Sequence, residues 1–382
     1  MTRLSAQDEA AYAALAQPGV RGLCAYDPGL DLVALRRGWP AGELVELGSN
    51  ENSLGPSPAA LAAFAAAAGD LHRYPDPLGG TLRGALAAHH GVARAGIVLG
   101  NGSHELLMQL AQVFAGPGQE VVASRFGFAV YALAAQAAGA TLRQAEALPV
   151  AAAMPRGHDL DALAAAIGPE TRLVYLANPN NPTGTWFGTG ALADFLARVP
   201  PRVLVVVDEA YLEYVTDPAL RSAVELLPEF PNLVVTRTFS KAYGLAGLRV
   251  GYLLAAPGLA AVMERVRESF NVNGPGLAAC AAALADQAHV ARVRASNAGE
   301  REALADALRA RALAVTPSQG NFLLVDFGRD AAPLAGALVA AGVVPRPMAG
   351  YGLPTCLRLS VGRRDENRRL LQALDAALGG SR

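Results

Sequence analysis

The stretch TRTFSKAYGLAGLRVGY, at residues 236–252, decides how the rest of this sequence is interpreted. A run of leucine, valine and threonine at 233–236 leads into it and predicts a short buried strand. Ser240 and Lys241 stand where that strand ends, and Arg249 comes eight residues after the lysine. This pattern suits an amine that condenses with an aldehyde while the hydroxyl and the guanidinium hold a phosphate monoester. The alternative at this point is a surface loop with a solvated lysine.

The composition is that of a well-packed globular chain and excludes several classes of protein. The 382 residues suffice for two domains, and 52% hydrophobic with 17% charged residues argues against disorder. The net charge of −1 gives no electrostatic argument for binding nucleic acid or an anionic membrane. Three widely separated cysteines and six histidines without a zinc-binding pattern predict neither a disulfide framework nor a metal site.

The N-terminal part of the chain predicts an amphipathic helix over residues 1–17, ended by the Pro-Gly pair at 18–19. This segment carries acidic residues and lacks the apolar core of a secretory signal. The longest apolar runs, such as residues 333–345, are too short to span a bilayer. We therefore expect a cytoplasmic protein. Residues 20–40 predict irregular structure, with Tyr26 and Pro28 in a turn.

Short apolar strands alternate with helical segments through the middle of the chain. The predicted strands lie at 97–99, 120–123, 173–176, 203–207 and 233–236. This alternation predicts an α/β fold with a mostly parallel sheet covered by helices on both faces. Ligands then bind beyond the carboxyl ends of the strands, where the polar motifs of this chain lie.

The last third of the chain predicts a smaller α+β domain. A helical stretch is predicted from Gly251 to about residue 270. After it come an alanine-rich helical region to about 312, strands at 322–327 and 356–360 and a final helix at 366–378. We expect a large ligand-binding domain at residues 46–270. Residues 1–45 and 271–382 would form an N-terminal arm and the small C-terminal domain.

The sequence GNGS at residues 100–103 comes directly after a strand and opens a helix. Free N–H groups at a helix start bind phosphate. The motif lacks the third glycine of a dinucleotide-binding fingerprint, and no acidic residue stands in the place expected for a ribose. A plain strand-to-helix turn explains this motif equally well.

Asp208 ends an apolar strand in VVVDEAYLEY, where a carboxylate must be paired, bound or solvated. It could hold a pyridinium N–H, and Tyr211 and Asn181 could reach the phenolic oxygen of the same ring. A magnesium-binding carboxylate fails as an alternative because the chain has no GxxxxGK[ST] sequence. Asn181 lies in NPNNPTG, and proline-rich loops of this kind are also common turns.

Two arginines late in the chain are candidates for binding an anionic ligand. Arg346 lies in VVPRPM, and Arg358 is a polar position in the predicted strand CLRLSVG. A guanidinium suits carboxylate or phosphate through its bidentate fork. A surface position is the alternative for each of them.

In their order along the chain, these motifs resemble those of the fold-type I pyridoxal-phosphate aminotransferases, and more narrowly those of the histidinol-phosphate aminotransferase family. The shared motifs are SNENSLGPSP, RYPDP, GNGSHE, FAVYALAAQAAGA, NPNNPTG, DEAYLEY, FSKAYGLAGLRVGY, RESFNVN, PSQGNFLLVD and YGLPTCLRLSVG. They cover nearly the whole chain. The resemblance implies a large domain with a mostly parallel sheet of the seven-stranded type between helices, a smaller α+β domain, and a homodimer.

The resemblance also implies a site for pyridoxal 5′-phosphate. Lys241 would be the catalytic residue and form the Schiff base with the cofactor. The other residues implied are Gly102, Ser103, His104, Ser240 and Arg249 for the phosphate, Asp208 for the pyridine nitrogen, Asn181 and Tyr211 for the phenolic oxygen, and Phe128 for stacking on the ring. Tyr74 would reach the cofactor phosphate of the other subunit.

For the substrates, the resemblance implies that Arg358 takes the α-carboxylate of glutamate. Arg358, Arg346 and Tyr26 would hold the phosphate of histidinol phosphate, and Asn52 is a further implied substrate contact. Phe128, His104 and Leu30 depart from the commonest pattern of the family. Phe128 replaces a tyrosine, His104 an acidic residue or asparagine, and Leu30 a basic residue. At Phe128 ring stacking survives and any hydrogen bond of the tyrosine is lost. A backbone phosphate contact at His104 is unaffected, and Leu30 slightly weakens the interpretation that the substrate carries a phosphate.

The activity implied is transfer of the amino group of L-histidinol phosphate to 2-oxoglutarate, by a ping-pong mechanism and as part of histidine biosynthesis. The products would be imidazole acetol phosphate and L-glutamate. An aromatic amino acid aminotransferase and an amino-acid-phosphate decarboxylase of the same fold are the alternatives. A regulator that carries this domain would need a basic DNA-binding module, and the chain leaves no length for one.

Overall fold

The computed structural model describes residues 9–27, 29–40 and 43–379. Residues 1–8 of the predicted N-terminal helix and Pro28 of the predicted turn therefore lie outside the described residues. The helix that is described begins at Glu9, and the Pro-Gly pair that was expected to end it instead opens a second, short helix. Proline suits the first position of a helix because that position needs no N–H donor.

The described chain alternates between helices and strands, joined by loops and short 3₁₀ turns. The helices are α1 (Glu9–Leu15), α2 (Pro18–Arg21), α3 (Leu32–Gly38), α4 (Pro58–Ala67), α5 (Gly80–His90), α6 (Ser103–Phe114), α7 (Ala129–Ala137), α8 (Leu160–Ala165), α9 (Thr189–Arg198), α10 (Pro257–Met263), α11 (Gly274–Ala285), α12 (Gln287–Arg309), α13 (Ala332–Ala340) and α14 (Arg364–Gly379). The strands are β1 (Val45–Glu46), β2 (Ile97–Gly100), β3 (Glu120–Ser124), β4 (Thr141–Ala145), β5 (Thr171–Ala177), β6 (Leu204–Asp208), β7 (Leu233–Thr238), β8 (Gly251–Ala255), β9 (Ala314–Val315), β10 (Phe322–Asp326), β11 (Val343–Val344), β12 (Arg346–Pro347) and β13 (Cys356–Ser360).

The central sheet has seven strands in the order β2-β8-β7-β6-β5-β3-β4. All neighbours pair in parallel except β8, which is antiparallel to β2 and β7. Helices α4, α5, α8, α9 and α11 pack on one face, and α6, α7 and α10 on the other. Apolar side chains of the strands are buried on both faces, which explains their continuous hydrophobic runs. The predicted α/β fold with a mostly parallel sheet is confirmed.

The segment after Gly251 was expected to be helical, and that expectation is wrong. Its first five residues form strand β8, and the helix after this strand is short. A short apolar run without polar alternation fits a buried strand as well as a buried helix, so periodicity alone does not separate the two. The predicted alanine-rich helical region is also divided, because the Asp286 side chain accepts from the His289 N–H and starts α12.

The region at residues 20–40, expected to be irregular, contains helix α3 as well as the end of α2. The Asp31 side chain caps α3 by accepting from the Ala34 N–H. The expectation failed because one aspartate and a few apolar residues give too short a pattern to recognise as a helix.

A smaller antiparallel sheet has the strand order β12-β13-β10-β9 and packs with α12, α13 and α14. A parallel pair of β1 with β11 ties the N-terminal part of the chain to this region. Helix α11 comes after residue 270 in sequence but packs against α4 in the core of the central sheet. The domain boundaries at 46–270 and 271–382 stay a prediction.

None of the helices in the described ranges is long and apolar enough to cross a membrane. The carboxyl ends of β5, β6 and β7 lie at one edge of the central sheet because these strands run parallel. The NPNNPTG loop, Asp208 and Ser240 with Lys241 lie at or just beyond the ends of these strands and therefore meet at that edge.

Candidate active site

A cleft of about 670 Å³ opens at this edge of the central sheet. The predicted site residues that line it are Tyr26, Ser103, His104, Phe128, Asn181, Asp208, Tyr211, Ser240, Lys241, Arg249, Arg346 and Arg358. Gly102 lies next to it as the N-cap of α6. The tertiary structure thus gathers groups from distant parts of the sequence around one cavity.

Lys241 lies half-buried at the floor of the cleft, three residues after β7 ends. Its Nζ donates to the Ser49 carbonyl oxygen at 3.0 Å and lies 5.8 Å from the centre of the Tyr211 ring. Burial, together with the nearby Arg358 guanidinium, lowers the pKa of Lys241 to about 8. A larger fraction of the amine is therefore neutral and nucleophilic near physiological pH.

Ser240 and Arg249 form a cluster of donors beside the N-terminus of α6. The Arg249 Nη1 donates to Ser240 Oγ at 3.3 Å, and Thr238 Oγ1 donates to the same oxygen at 3.0 Å. Gly102 has a φ of +84°, and a Cβ added there would lie 2.7 Å from Arg249 Nη2. The guanidinium thus lies close to the free N–H groups of the helix start, which is a suitable arrangement for a phosphate.

Asp208 ends β6 and is 5% exposed. Thr236 Oγ1 donates to its Oδ1 at 3.2 Å, and the Tyr131 hydroxyl donates to its Oδ2 at 3.3 Å. Burial raises the pKa of Asp208 to about 6, although these hydrogen bonds favour the charged form and oppose the rise. A carboxylate in this position favours a ligand that brings a cationic N–H.

Arg358 reaches into the cleft from β13 of the smaller sheet and is buried. Its Nη1 donates to Asn181 Oδ1 and its Nη2 to the Gly48 carbonyl oxygen, both at 2.6 Å. Its Nε has no hydrogen-bond partner, and the described part of the chain gives it no carboxylate. A buried guanidinium without a counter-ion is a binding site for an anionic ligand group.

Tyr211, three residues after Asp208, has its hydroxyl at the floor of the same cleft. The Asn50 side-chain amide donates to that hydroxyl at 3.0 Å. Burial raises the pKa of Tyr211 to about 12, so the phenol keeps its proton and can donate it to an acceptor in the cleft.

Aromatic side chains and one arginine form the outer wall of the cleft. The Tyr26 ring lies 6.3 Å from Phe128 and 5.7 Å from His104, edge-on to both. Arg346 Nη2 donates to the Asp27 carbonyl oxygen at 2.6 Å, which fixes the chain next to Tyr26. Burial, and then the Arg249 charge, lower the pKa of His104, so its imidazole is neutral.

Besides Gly102, the predicted site residues that do not line this cleft are Asn52 and Tyr74. The Asn52 amide donates to the carbonyl oxygens of Ala242, at 3.0 Å, and Gly55, and thereby supports the turn after Lys241. Its role as a substrate contact stays a prediction. Tyr74 is 83% exposed and stacks on Phe270 at 4.6 Å.

Sequence reasoning missed Tyr131, Thr236 and Asn50, which touch the predicted residues. For Tyr131 a signal existed, because it comes three residues after Phe128 on α7 and so lies on the same helix face. Thr236 lies opposite Asp208 in the register of β6 and β7, which no sequence pattern reveals. Asn50 lies 161 residues from Tyr211, and only folding brings them together.

These groups fit a ligand that combines a phosphate, an aldehyde and a basic ring nitrogen. The Arg249 cluster would take the phosphate, and the space beside its guanidinium exists only because Gly102 has no side chain. Lys241 offers an amine to the aldehyde, and buried Asp208 offers a carboxylate to the nitrogen. Pyridoxal 5′-phosphate, the cofactor implied by the resemblance, carries all these groups.

Comparisons with known proteins agree with this arrangement. The model of the family "Aminotransferase class I and II" matches residues 42–374. Histidinol-phosphate aminotransferase 2 of Pseudomonas aeruginosa is 49% identical over 369 residues, which are 96% of this chain and 98% of that protein. The histidinol-phosphate aminotransferase of an Anaeromyxobacter species is 48% identical over 366 residues, 96% of this chain and 99% of that protein.

Among solved structures, the chain is similar to the histidinol-phosphate aminotransferase of Sinorhizobium meliloti, which was crystallised in complex with pyridoxal-5′-phosphate. The two share 34% of their residues over 96% of this chain and 98% of the other, and their TM-score is 0.86. The similarity therefore extends over the central sheet, the smaller sheet and the cleft between them.

Proposed function

Because this chain belongs to the class I and II aminotransferases, and within them to the histidinol-phosphate aminotransferase family, we propose that it transfers the amino group of L-histidinol phosphate to 2-oxoglutarate. The observation that carries the proposal is the set of charged side chains that line one cleft. Lys241, Asp208, Arg346 and Arg358 line it together with the Arg249 cluster. The Arg249 cluster would serve the phosphate of a cofactor. Arg358, and Arg346 with its 3.4 Å ion pair to the exposed Asp27, would serve a substrate that is itself anionic.

Pyridoxal 5′-phosphate, when bound, supplies the aldehyde that takes up the amino group and a ring that withdraws electrons. Ser240, Arg249 and the N–H groups at the start of α6 would anchor its phosphate. Asp208 would hold a proton between its carboxylate and the ring nitrogen, and Asn181 and Tyr211 would orient the phenolic oxygen. Phe128 would lie against one face of the ring.

Lys241 would bind the cofactor covalently through Nζ and, when released, act as the general base at the same atom. A lowered pKa suits both roles, since a neutral amine is needed to attack an aldehyde and to accept a proton from the α-carbon. The hydrogen bond from Nζ to the Ser49 carbonyl oxygen keeps the amine at the floor of the cleft.

Arg358 would bind the α-carboxylate of glutamate. With Arg346 and the Tyr26 hydroxyl, it would also bind the phosphate of histidinol phosphate. One site can accept both substrates in turn because a guanidinium fork matches either carboxylate or phosphate oxygens. The aromatic wall of Tyr26 and Phe128 would exclude water and lie next to the imidazole ring of the substrate.

We also propose that the protein works as a homodimer in the cytoplasm. The exposed Tyr74 would reach the cofactor phosphate of the partner subunit, so that each site needs both chains. The cytoplasm is proposed because both substrates are charged metabolites that do not cross membranes unaided.

An absorbance experiment tests the proposed function. We expect the protein loaded with pyridoxal phosphate to show a visible band that L-histidinol phosphate bleaches at low concentration. L-Phenylalanine, added to a separate sample, should bleach the band only weakly. Stronger bleaching by phenylalanine would assign the protein to the aromatic aminotransferases, and release of carbon dioxide would assign it to the decarboxylases. Absence of a visible band would refute the role of Lys241.

A variant pair tests the substrate site. Arg346→Ala should lose the response to L-histidinol phosphate and keep the response to L-glutamate, because glutamate has no phosphate to bind. Arg329→Ala removes an exposed arginine outside the cleft and should respond to both substrates as the wild type does. An unchanged response of Arg346→Ala to histidinol phosphate would contradict the assignment of this arginine.

A further inference from the structure

Tyr131 is a buried cleft residue to which the proposed function gives no role. It lies on α7, is 1% exposed and lines the cleft. Its hydroxyl donates to Asp208 Oδ2 at 3.3 Å. The other carboxylate oxygen, Oδ1, accepts from Thr236 at 3.2 Å. Each oxygen of Asp208 therefore receives one side-chain hydroxyl.

The surrounding side chains hold the Tyr131 ring in this position. It stacks on Tyr175, with ring centres 4.8 Å apart and planes 4° from parallel. Tyr175 is itself anchored, because its hydroxyl donates to the Leu107 carbonyl oxygen at 2.7 Å. Phe128 packs edge-on at 5.9 Å. Because the ring is already held in place, the Tyr131 side chain loses no further freedom when its hydroxyl donates to Asp208 during the reaction.

We propose that Tyr131 is a positioning residue that keeps Asp208 in its carboxylate form, so that the proton shared with the ring nitrogen of the cofactor stays on nitrogen. This inference rests on the proposed function and deepens it. The ring withdraws electrons from the substrate best when its nitrogen carries the proton. Tyr131 thereby acts on the reaction through Asp208 and without touching the reacting atoms.

The physical argument concerns the basicity of the buried carboxylate. Burial favours the neutral acid, and a proton from the ring nitrogen would neutralise Asp208 if nothing opposed this transfer. Hydrogen bonds donated to a carboxylate stabilise its charged form. The neighbouring Glu209 adds negative charge, but it is paired with Arg237 at 3.0 Å. The hydroxyls of Tyr131 and Thr236 and the Ala210 N–H thus remain to hold the charge on Asp208.

Tyr131→Phe tests the proposal, because it removes the hydroxyl and keeps the stacked ring. Tyr175→Phe is the matched control, since it removes a hydroxyl from the same stack that bonds only a backbone oxygen. The direct readout is the ¹⁵N NMR shift of pyridoxal phosphate labelled at the ring nitrogen and bound to each protein. We expect a pyridinium-type shift in the wild type and in Tyr175→Phe, and a displacement toward the unprotonated value in Tyr131→Phe.

Kinetics give a second readout that a purely structural role would not change. Tyr131→Phe should lower kcat about tenfold, as expected for one lost hydrogen bond to a charged group, and should leave KM nearly unchanged. The primary deuterium isotope effect at the α-carbon should rise, because proton removal becomes slower. Equal isotope effects and equal ¹⁵N shifts in all three proteins would overturn the role of Tyr131. A wild type that does not bind pyridoxal phosphate covalently would instead overturn the proposed function.

Discussion

Lys241 and Asp208 are two ionisable side chains whose pKa values are shifted in opposite directions by the same cause. Burial lowers the pKa of Lys241 to about 8 and raises the pKa of Asp208 to about 6, because the charged form of either group is costly away from water. An amine that loses its proton easily and a carboxylate that needs a cation are the two groups that the proposed chemistry requires.

The lowered pKa of Lys241 predicts how covalent uptake of pyridoxal phosphate depends on pH. The rate should rise about tenfold per pH unit up to about pH 8 and then level off, because only the neutral amine reacts. Stopped-flow absorbance on cofactor-free protein measures this rate. Free N-acetyl-lysine, measured in parallel, corrects for ionisation of the aldehyde reagent. A rate that continues to rise to about pH 10 would mean that Lys241 has an ordinary lysine pKa.

The raised pKa of Asp208 predicts a gain in stability when its charge is removed. A carboxyl whose pKa rises on folding destabilises the folded state above that pKa, and the cost is absent below the pKa of the unfolded chain. A rise from 3.8 to about 6 corresponds to about 3 kcal/mol. Cofactor-free Asp208→Asn should therefore unfold at higher denaturant concentration than the wild type at neutral pH.

The pH dependence of this difference is the control. The two unfolding curves should converge as the pH falls from about 6 to about 4, where the wild-type carboxyl also becomes neutral. The same variant should lose most of its transaminase activity, because an amide cannot hold the proton on the ring nitrogen. Equal free energies of unfolding for the two proteins at neutral pH would show that burying the charged Asp208 does not destabilise the folded state.

At the scale of elements, the site depends on the turns and helix starts that come directly after the strands of the central sheet. Strand β2 leads through Gly102 into α6, and β7 leads into the turn that carries Ser240, Lys241 and Arg249. The register of β8 places Gly251 against this junction, where an added Cβ would clash with the Ser103 nitrogen. The phosphate-binding arrangement therefore requires glycine at two positions, Gly102 just after β2 and Gly251 at the start of the adjacent strand β8.

Gly102→Ala should weaken binding of the cofactor phosphate about tenfold, because alanine is strained at positive φ and its Cβ would displace the Arg249 guanidinium. Equilibrium dialysis with pyridoxal phosphate and with pyridoxal separates a loss of phosphate binding from damage elsewhere in the site. The variant should lose affinity for the phosphate ester and bind pyridoxal as the wild type does. Gly247→Ala, two residues before Arg249, meets no atom within 4 Å and serves as control. Equal losses for both ligands would place the damage elsewhere.

At the scale of the whole molecule, the cleft is closed by contacts between segments that are far apart in sequence. Lys241 Nζ bonds the Ser49 carbonyl oxygen across 192 residues. Arg358 from the smaller sheet bonds Asn181 across 177 residues and Gly48 across 310 residues. The N-terminal part, the central sheet and the smaller sheet therefore meet at the site, and each contributes a group to it.

The proposed dimer predicts complementation between two inactive variants. Lys241→Ala removes the amine of one subunit, and Tyr74→Ala removes the group that its partner supplies. Mixed, unfolded and refolded together, they should recover roughly a quarter of wild-type activity, because half of the dimers are mixed and each has one intact site. Each variant refolded alone is the control. Failure of the mixture to recover activity, with dimers present by light scattering, would place Tyr74 outside the partner's site.

The sequence by itself determined the strands that carry the site and most of the residues that line it. Continuous apolar runs ending in Asp208, in NPNNPTG and in Ser240 with Lys241 predict parallel strands, and parallel strands bring their carboxyl ends to one edge. The motifs could therefore be assigned to one site without knowledge of the contacts among them. Strand β8 could not be predicted, since its short apolar run fits a helix equally well and only pairing with β2 and β7 selects the strand.

Only the tertiary structure decided which groups support these residues. Tyr131 meets Asp208 across 77 residues and Asn50 meets Tyr211 across 161, and no local pattern encodes either contact. Asn52, expected at the substrate, donates to the Ala242 carbonyl oxygen across 190 residues. The physical reason is that periodicity and turn chemistry act over a few residues, whereas hydrogen bonds in the core depend on how distant elements pack.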